Sequence, residues 1–293
     1  MSTDDAPVVE VRDVHRVYGR SGSLRGGKQG VHALKGVSFR LYKGEKLGIV
    51  GESGSGKSTL IRILAALDRP SEGEVLFNGQ VISSQPERKL KALRRNLQFV
   101  FQDPMSSLDP RMTVRAVIAE ALIGRDRATV DRRVKEMLDA VGLPQRAADR
   151  YPHQFSGGQR QRISIARALA PAPSVLVADE PVSALDVSVR AQILNLLNEL
   201  TEQTGVSMVF VSHDLAVVRR VCDTVAVLSE GSIVETGSTV DVYGNPRHEY
   251  TQALLAASPV LKFRPAKRDD RPTDHHPTFS TNPSGDAPHA PSA

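Results

Sequence analysis

The sequence lacks what disulfides, cysteine-bound metal clusters and membrane spans require. Cys222 is the only cysteine, which excludes a disulfide within the chain and a metal cluster built from several cysteines, and is typical of a reducing compartment. The first residues are acidic and have no apolar core, so no signal peptide is predicted. No run approaches the roughly 18 uninterrupted apolar residues of a membrane-spanning helix. We therefore expect a cytoplasmic chain that does not itself cross a bilayer.

The rest of the composition is that of an ordinary globular protein. The 293 residues are 40% hydrophobic, and the formal net charge is +5. This length suits one large domain or two modest ones. A mild positive charge is compatible with nucleic acid or a membrane surface as partner, but a solvated surface explains it without any partner.

A glycine-rich motif at residues 51–58 is the first sign of chemistry. Its sequence, GESGSGKS, matches G-x-x-x-x-G-K-[ST] and lies between an apolar strand at 47–50 and a helical pattern at 58–67. In this context the glycines let backbone N–H groups ring a phosphate, and the helix dipole favours an anion. Lys57 would bind the β- and γ-phosphates and Ser58 would hold Mg²⁺. A glycine-rich turn before a helix does not explain the complete match.

Two acids follow a predicted strand at 175–178. Asp179 stands where a strand delivers a carboxylate to a metal ion, and Glu180 could polarise the water that attacks a γ-phosphate. Two solvated acids at a strand end are the alternative. The phosphate-binding motif in the same chain favours the catalytic interpretation.

A second candidate for anion binding is the sequence FSGGQ at 155–159, just before a predicted helix at 160–169. Ser-Gly-Gly at a helix start leaves N–H groups unpaired, although the serine could simply cap the helix. Two such helix starts are more than one nucleotide needs, unless two chains share it.

Three single residues complete the candidate site. Gln102 ends a predicted strand at 97–101 and could sense the metal or water, and His213 ends the strand at 209–213 and could donate to a γ-phosphate. Tyr18 could stack on a purine base. Each also fits a packing or capping role.

The pattern along the chain predicts alternating strands and helices around a helical insert. The expected strands lie at 8–12, 37–41, 47–50, 97–101, 175–178, 207–211 and 224–228, with a helix at 188–203. Between 103 and 165 the apolar spacing is helical, with Thr129 a candidate cap. This order favours a mostly parallel sheet covered on both faces. A surface loop at 21–30 and a disordered tail from 262 are also predicted.

Taken together, these residues resemble the ATP-binding cassette (ABC) ATPases over nearly the whole chain, to about residue 258. Gln102 resembles the Q-loop, Asp179 the end of Walker B, Glu180 the catalytic glutamate, residues 183–186 the D-loop and His213 the switch histidine. Tyr18 resembles the aromatic residue that stacks on adenine. Phe155 departs from the usual leucine of the signature. The nucleotide-binding residues implied are those of Walker A, namely Gly51, Ser53, Gly54, Ser55, Gly56, Lys57, Ser58 and Thr59, and of the signature, namely Ser156, Gly157, Gly158 and Gln159.

The resemblance implies an α/β fold, with a mixed-sheet, RecA-like P-loop NTPase core and an ABC helical subdomain. The implied division is a core at 8–102 and 166–240, a helical subdomain with the signature at 103–165, a C-terminal extension of peptide-importer type at 241–260 and a disordered tail at 261–293.

It also implies cofactors and partners. ATP and Mg²⁺ are expected, with Ser58, Gln102 and Asp179 at the metal and Glu180, His213 and Gln102 acting in catalysis. The second ATPase in a head-to-tail dimer would be a paralogue or a second copy. Two transmembrane permeases, and indirectly an extracytoplasmic solute-binding protein, would place the chain on the cytoplasmic face of the membrane, with no nucleic acid partner. Some relatives carry an iron–sulfur cluster, but Cys222 alone cannot build one.

Two longer segments narrow the substrate. FQDPMSSLDP at 101–110 and the ending at 243–257 are similar to the ATPases of bacterial oligopeptide and dipeptide importers. Importers of nickel, glutathione or opines, and an exporter or lipid extractor, remain alternatives. A soluble ABC ATPase that acts on DNA or ribosomes would carry two cassettes or a long coiled coil.

Overall fold

The computed structural model describes residues 6–19 and 30–257. The predicted surface loop, apart from Gly30, and the predicted disordered tail lie outside the described residues. Ten strands are found in the described part: β1 (Val9–Tyr18), β2 (Val31–Leu41), β3 (Lys46–Val50), β4 (Glu72–Phe77), β5 (Gln80–Val81), β6 (Leu97–Val100), β7 (Val175–Asp179), β8 (Ser207–Ser212), β9 (Thr224–Ser229) and β10 (Ser232–Ser238).

The described part of the chain also contains ten α-helices: α1 (Lys57–Leu64), α2 (Lys91–Asn96), α3 (Pro104–Ser107), α4 (Val114–Glu120), α5 (Arg127–Ala140), α6 (Gly157–Leu169), α7 (Val187–Thr204), α8 (Leu215–Val221), α9 (Thr239–Gly244) and α10 (Glu249–Ala257). None of these helices is both long and apolar enough to cross a membrane.

A six-stranded sheet forms the centre, in the order β10-β9-β3-β8-β7-β6. The pairs from β9 to β6 are parallel, and β10 joins the edge antiparallel to β9. Alternate residues of β7 enter different cores, with Val175 and Val177 on one face and Leu176 and Ala178 on the other. Because both faces are buried, β3 and β8 are buried at every described position. The prediction of a largely parallel sheet covered on both faces is confirmed.

A second, antiparallel sheet was not predicted. Its order is β2-β1-β4-β5, and its core is shared with α1 and one face of the central sheet. Asn78 and Gly79 join β4 to β5, both with positive φ (48° and 74°), as the tight turns of β-hairpins require. The Asn-Gly pair was therefore a readable hairpin signal that the sequence analysis missed.

The α-helices α3 to α6 lie between β6 and β7, and α5 corrects one predicted cap. Helix α5 begins at Arg127, and the side chain of Asp126 accepts the Thr129 N–H at 2.9 Å. Asp126 is thus the N-cap, and the assignment of Thr129 was wrong because the carboxylate three residues earlier takes its N–H. Helix α6 runs unbroken past residue 165, where the boundary between subdomains was predicted; that division stays a prediction.

Candidate functional site

An open cavity of about 940 Å³ lies beside the carboxyl ends of β3, β7 and β8. Ligands of open α/β sheets characteristically bind at this edge. The cavity brings together most of the predicted site residues, namely Ser53, Gly54, Gly56, Lys57, Ser58, Thr59, Gln102, Asp179, Glu180 and His213.

Two glycines let the 51–58 loop lie close to its neighbours. An ideal Cβ on Gly51 would stand 2.2 Å from the carbonyl oxygen of Leu228 in β9. Gly56, with φ at 109°, would bring a Cβ within 2.6 Å of the carbonyl oxygen of Ala33 in β2. Ser55 is buried beneath the loop. Gly51 and Ser55 therefore pack against the protein interior, whereas the other predicted residues of the loop line the cavity.

The start of α1 is prepared for an anion. Its N-cap is Gly56, which offers no side chain to the first N–H groups, and the first turn contains no acidic residue. Ser58 and Thr59 of that turn line the cavity. Uncapped N–H groups and the helix dipole together favour a negatively charged ligand there.

The Lys57 ammonium is folded back on the loop. Its Nζ donates to the carbonyl oxygens of Gly51 at 2.6 Å and Glu52 at 2.7 Å. Burial lowers the pKa of Lys57, and the charges of Glu180, Asp179 and Glu52 oppose that shift. A buried ammonium whose hydrogen bonds go to two neutral carbonyls is well placed to exchange them for phosphate oxygens.

Asp179 and Glu180 meet at the end of β7 with distinct environments. Burial, helped by the negative charge of Glu180 and opposed by Lys57, raises the pKa of Asp179 to about 6. Glu180 has a φ of 43°, and its N–H donates to the Val211 carbonyl at 2.9 Å. Its Oε2 lies 3.1 Å from Nδ1 of His213. Strained backbone that holds a carboxylate against a histidine is typical of a reactive site.

The raised pKa of Asp179 predicts a stability cost without ligand. The folded pKa lies above the ordinary value of 3.8, so the cost appears as pH rises past that value and is complete above about 6. We expect Asp179→Asn to raise the melting temperature of the nucleotide-free protein at pH 8 by roughly 2–4 °C, and by less at pH 5. Thermal unfolding at both pH values measures this.

The exposed carboxylate of Asp149, with 83% of its side chain accessible, supplies the control. Asp149→Asn should leave the melting temperature nearly unchanged at both pH values. An equal gain for Asp179→Asn at pH 5 and pH 8 would contradict a titrating, desolvated Asp179.

Tyr18 lies outside this cavity but next to it. It pairs with Val31, which lines the cavity. The Tyr18 hydroxyl donates to Asp68 at 2.6 Å, and the Arg16 guanidinium lies 4.5 Å from the ring centroid. The stacking role of Tyr18 stays a prediction.

The residues predicted as the signature do not line the cavity. Ser156 is the N-cap of α6; its N–H donates to Gln159 Oε1 at 3.1 Å, and its Oγ accepts the Gln159 N–H at 3.4 Å. Gly157 and Gly158 pack beside Leu185 and Val189 near the start of α7. The structure is compatible with both interpretations of this motif, a helix cap and an anion site. Ser156 caps the helix, and the glycines leave the amino end of the helix uncovered.

Several cavity residues were missed by sequence reasoning. His32 and Lys35 come from β2, and Glu230 and Gly231 form the turn between β9 and β10. The Gly231 N–H donates to the carbonyl of Ser55, and the Gly231 carbonyl accepts the Lys35 N–H. This turn therefore fastens the loop to β2. The available sequence signal was the glycine directly after the strand pattern at 224–228, because tight hairpin turns require positive φ. Both Glu230 and Gly231 have positive φ in the structure.

Comparison with known proteins decides the family. The family model described as ABC transporter matches residues 34–183. The oligopeptide transport ATP-binding protein AppF of Bacillus subtilis (strain 168) is 49% identical over 269 residues, which cover 90% of this chain and 82% of that protein. The chain belongs to the ABC transporter family. It is an ATP-binding protein of that family with ATPase activity, as the resemblance predicted.

A second relative is also described as an import ATP-binding protein. The glutathione import ATP-binding protein GsiA of Escherichia coli (strain K12) is 51% identical over 286 residues, covering 93% of this chain but 45% of GsiA. This chain thus spans less than half of GsiA.

Solved structures of ABC proteins match as well. The protein cbiO1 of Clostridium perfringens, part of the ABC transporter complex cbiONQ, has a TM-score of 0.72 at 29% identity, covering 82% of this chain and 92% of its own. A dimeric post-hydrolysis state of the cassette MJ0796, bound to ADP and Pi, has a TM-score of 0.69 at 34% identity, covering 79% and 98%. The P-loop NTPase fold with a mixed-sheet core is confirmed.

Proposed function

We propose that this ATPase is the ATP-hydrolysing subunit of a bacterial ABC importer for oligopeptides or dipeptides. The observation that carries the proposal is the 49% identity with an oligopeptide transport ATP-binding protein over most of both chains. Glutathione, named in the GsiA relatives, is itself a tripeptide, so both relatives support a peptide-like cargo. The similarity extends into the predicted C-terminal extension, where α9 and α10 lie.

Mg²⁺–ATP fits the donor set of the cavity. Ser58, Gln102 and Asp179 offer a hydroxyl, an amide and a carboxylate around one space, and Mg²⁺ prefers oxygen ligands while keeping contacts to the substrate phosphates. The described residues hold no group of three or more His, Cys, Asp or Glu suited to a metal alone. A site that relies on the nucleotide for its remaining ligands matches that composition. Bound there, Mg²⁺ would neutralise charge on the phosphates.

Glu180 and His213 are the proposed hydrolytic pair. Glu180 would accept a proton from the water that attacks the γ-phosphorus, while the bond from that phosphorus to the leaving ADP oxygen breaks. His213, 3.1 Å from Glu180 Oε2, would orient that carboxylate and donate to the γ-phosphate. Gln102, which lines the same cavity, would sense the metal or water.

The signature, in this proposal, completes the ATP site of a second chain. Ser156 and Gly157 do not line their own chain's cavity, yet the amino end of α6 has exposed glycine backbone suited to phosphate. The dimeric structures of the related cassette MJ0796 support a pair of chains. ATP would close such a pair and hydrolysis would reopen it, because the nucleotide favours one of two states.

A groove beside the site supplies the proposed docking surface for a permease. Its volume is about 330 Å³, and its lining includes Phe99, Arg167 and Phe101, the residue that directly precedes Gln102 in the chain. Leu67, 63% exposed, lies at the same groove. An exposed apolar side chain at a groove next to the ATP site is suited to couple its closure to a membrane subunit. Through such a partner the chain would lie at the cytoplasmic face of the membrane.

Lys57→Ala should abolish turnover and weaken ATP binding by on the order of 100-fold, since it removes charge-assisted hydrogen bonds to two phosphates. Titration with a fluorescent ATP analogue and phosphate-release assays measure both. Lys43→Ala, which removes an exposed lysine outside the cavity, is the control and should behave as wild type. Near-normal turnover of Lys57→Ala would refute the site.

The transport role is tested in cells. Deletion of the gene should abolish uptake of radiolabelled tripeptide, and the tagged protein should co-purify two integral membrane permeases from solubilised membranes. Uptake that persists for peptides but is lost for nickel or glutathione would redirect the substrate. Recovery with ribosomes or DNA, and without permeases, would overturn the importer assignment.

A further inference from the structure

The C-terminal helix α10 reaches back to the phosphate-binding loop. The hydroxyl oxygen of Tyr250, in the first turn of α10, accepts the backbone N–H of Glu52 at 3.0 Å. The two residues are 198 positions apart. Glu52 stands in the loop directly after Gly51 and lines the cavity. One side chain of the extension therefore touches the entrance of the loop.

The position of Tyr250 is fixed by its surroundings. Glu235 of β10 accepts the N–H groups of Arg247 at 2.8 Å and His248 at 3.1 Å, which anchors the segment before α10. Nδ1 of His248 then accepts the Tyr250 N–H at 3.1 Å. The ring of Tyr250 packs against the larger core. The hydroxyl is thus presented to the loop by a segment that is tied to the central sheet.

Glu52 is the residue through which this contact acts on the site. Its carbonyl oxygen accepts Lys57 Nζ at 2.7 Å and the Ser55 N–H at 3.2 Å. The same residue is therefore held by Tyr250 at its N–H and by the phosphate-binding residues at its carbonyl. The loop must keep one shape to align its N–H groups on a phosphate. Because Tyr250 holds Glu52 in place before ATP binds, less conformational entropy of the loop is lost on binding.

We propose that Tyr250 is a positioning residue for ATP, through which the C-terminal extension completes the phosphate site of its own chain. The proposal rests on the proposed assignment of the 51–58 loop as the ATP site. Tyr250 does not line the cavity, so it acts through Glu52 and not on the reacting atoms. Its effect belongs to ATP affinity rather than to the rate of the chemical step.

Tyr250→Phe removes the hydroxyl and keeps the ring. We expect the full-length protein to show a KM and a Kd for ATP raised about threefold, the usual worth of one neutral hydrogen bond, with kcat changed less than about twofold. Amide hydrogen exchange of the peptide that contains Glu52 should become faster in the nucleotide-free protein. This exchange reports on the loop itself and would not change if Tyr250 only stabilised α10.

Tyr243→Phe is the matched control. Tyr243 belongs to the same extension, and its hydroxyl donates to the carbonyl of Leu215 in α8 rather than to a residue of the loop. Its removal should leave KM, Kd and the exchange of the loop at wild-type values. Equal changes in KM and exchange for the two variants would overturn the proposal, because the loss would then be a general loosening of the extension.

Lys57→Ala separates the two proposals. If it weakens ATP binding as expected while Tyr250→Phe binds and exchanges as wild type, the ATP site stands and the role of Tyr250 is refuted. If Lys57→Ala binds ATP normally, the site assignment fails and the role of Tyr250 fails with it.

Discussion

Glu180→Gln is expected to bind ATP as tightly as wild type and to hydrolyse it slower by on the order of 10²–10⁴, the usual size of a general-base contribution. The amide has the shape of the carboxylate and can keep the contact with His213 seen at 3.1 Å, but it cannot accept a proton from water. The strained φ of 43° at this position is no harder for Gln than for Glu. The change therefore isolates proton transfer from folding and from binding.

The consequence for assembly can be measured directly. With hydrolysis blocked, the ATP-closed pair should accumulate, either as a homodimer or with a partner ATPase, and size-exclusion chromatography with and without ATP should show a shift. Glu230→Gln changes another carboxylate that lines the same cavity and should hydrolyse ATP near the wild-type rate. Rapid hydrolysis by Glu180→Gln with an unshifted elution profile would remove Glu180 from the role of base.

Gly157→Asp is expected to abolish ATP-driven pairing and hydrolysis while the isolated monomer still binds ATP. The change puts a negative charge where, in the shared-site proposal, the γ-phosphate of the partner's ATP docks. Like charges repel strongly in a poorly hydrated interface, and the carboxylate also occupies the positive end of a helix dipole. Binding by the monomer is preserved because Gly157 does not line its own chain's cavity.

The structure also supplies the reason to choose this glycine. A Cβ on Gly157 would stand 3.5 Å from Leu185 Cδ2, an ordinary contact, whereas one on Gly158 would stand 2.4 Å from Val189 Cγ1. Gly157→Ala is thus a control that should fold and retain most of the pairing. Nucleotide titration of monomer, sedimentation with ATP and turnover give the three readouts. A monomer of Gly157→Asp that lost ATP affinity as severely as Lys57→Ala would mean that the signature acts within its own chain.

The parts of the site that follow from local chemistry were predictable from the sequence. The 51–58 loop, the acids at the end of β7 and His213 after β8 all lie at the carboxyl ends of neighbouring strands, and apolar runs revealed those strands. Parallel strands bring such ends to one edge, so their meeting in a cavity was expected.

What could not be predicted depends on distant pairing. The antiparallel sheet joins β1, whose residues 8–12 were predicted as a strand, to β4, which was not predicted, and its hairpin turn at Asn78 was overlooked. The contact of Tyr250 with Glu52 depends on where β10 directs the chain. No local spacing encodes a hydrogen bond between residues so far apart, because it arises only when the sheet edge has formed.

Helix α6 connects the predicted signature at Ser156 to the core of the central sheet. Its 13 residues make a rod about 20 Å long. Ser156 caps its tip, while Ile163 and Ile165 are embedded in the core that also holds Leu176 and Phe210 of the central sheet. Because a close-packed core has low compressibility, a helix anchored in it transmits a displacement of its free end to the residues around it. In the shared-site proposal, a displacement of the tip by a neighbouring chain would therefore reach the packing around β7, the strand that ends in Asp179.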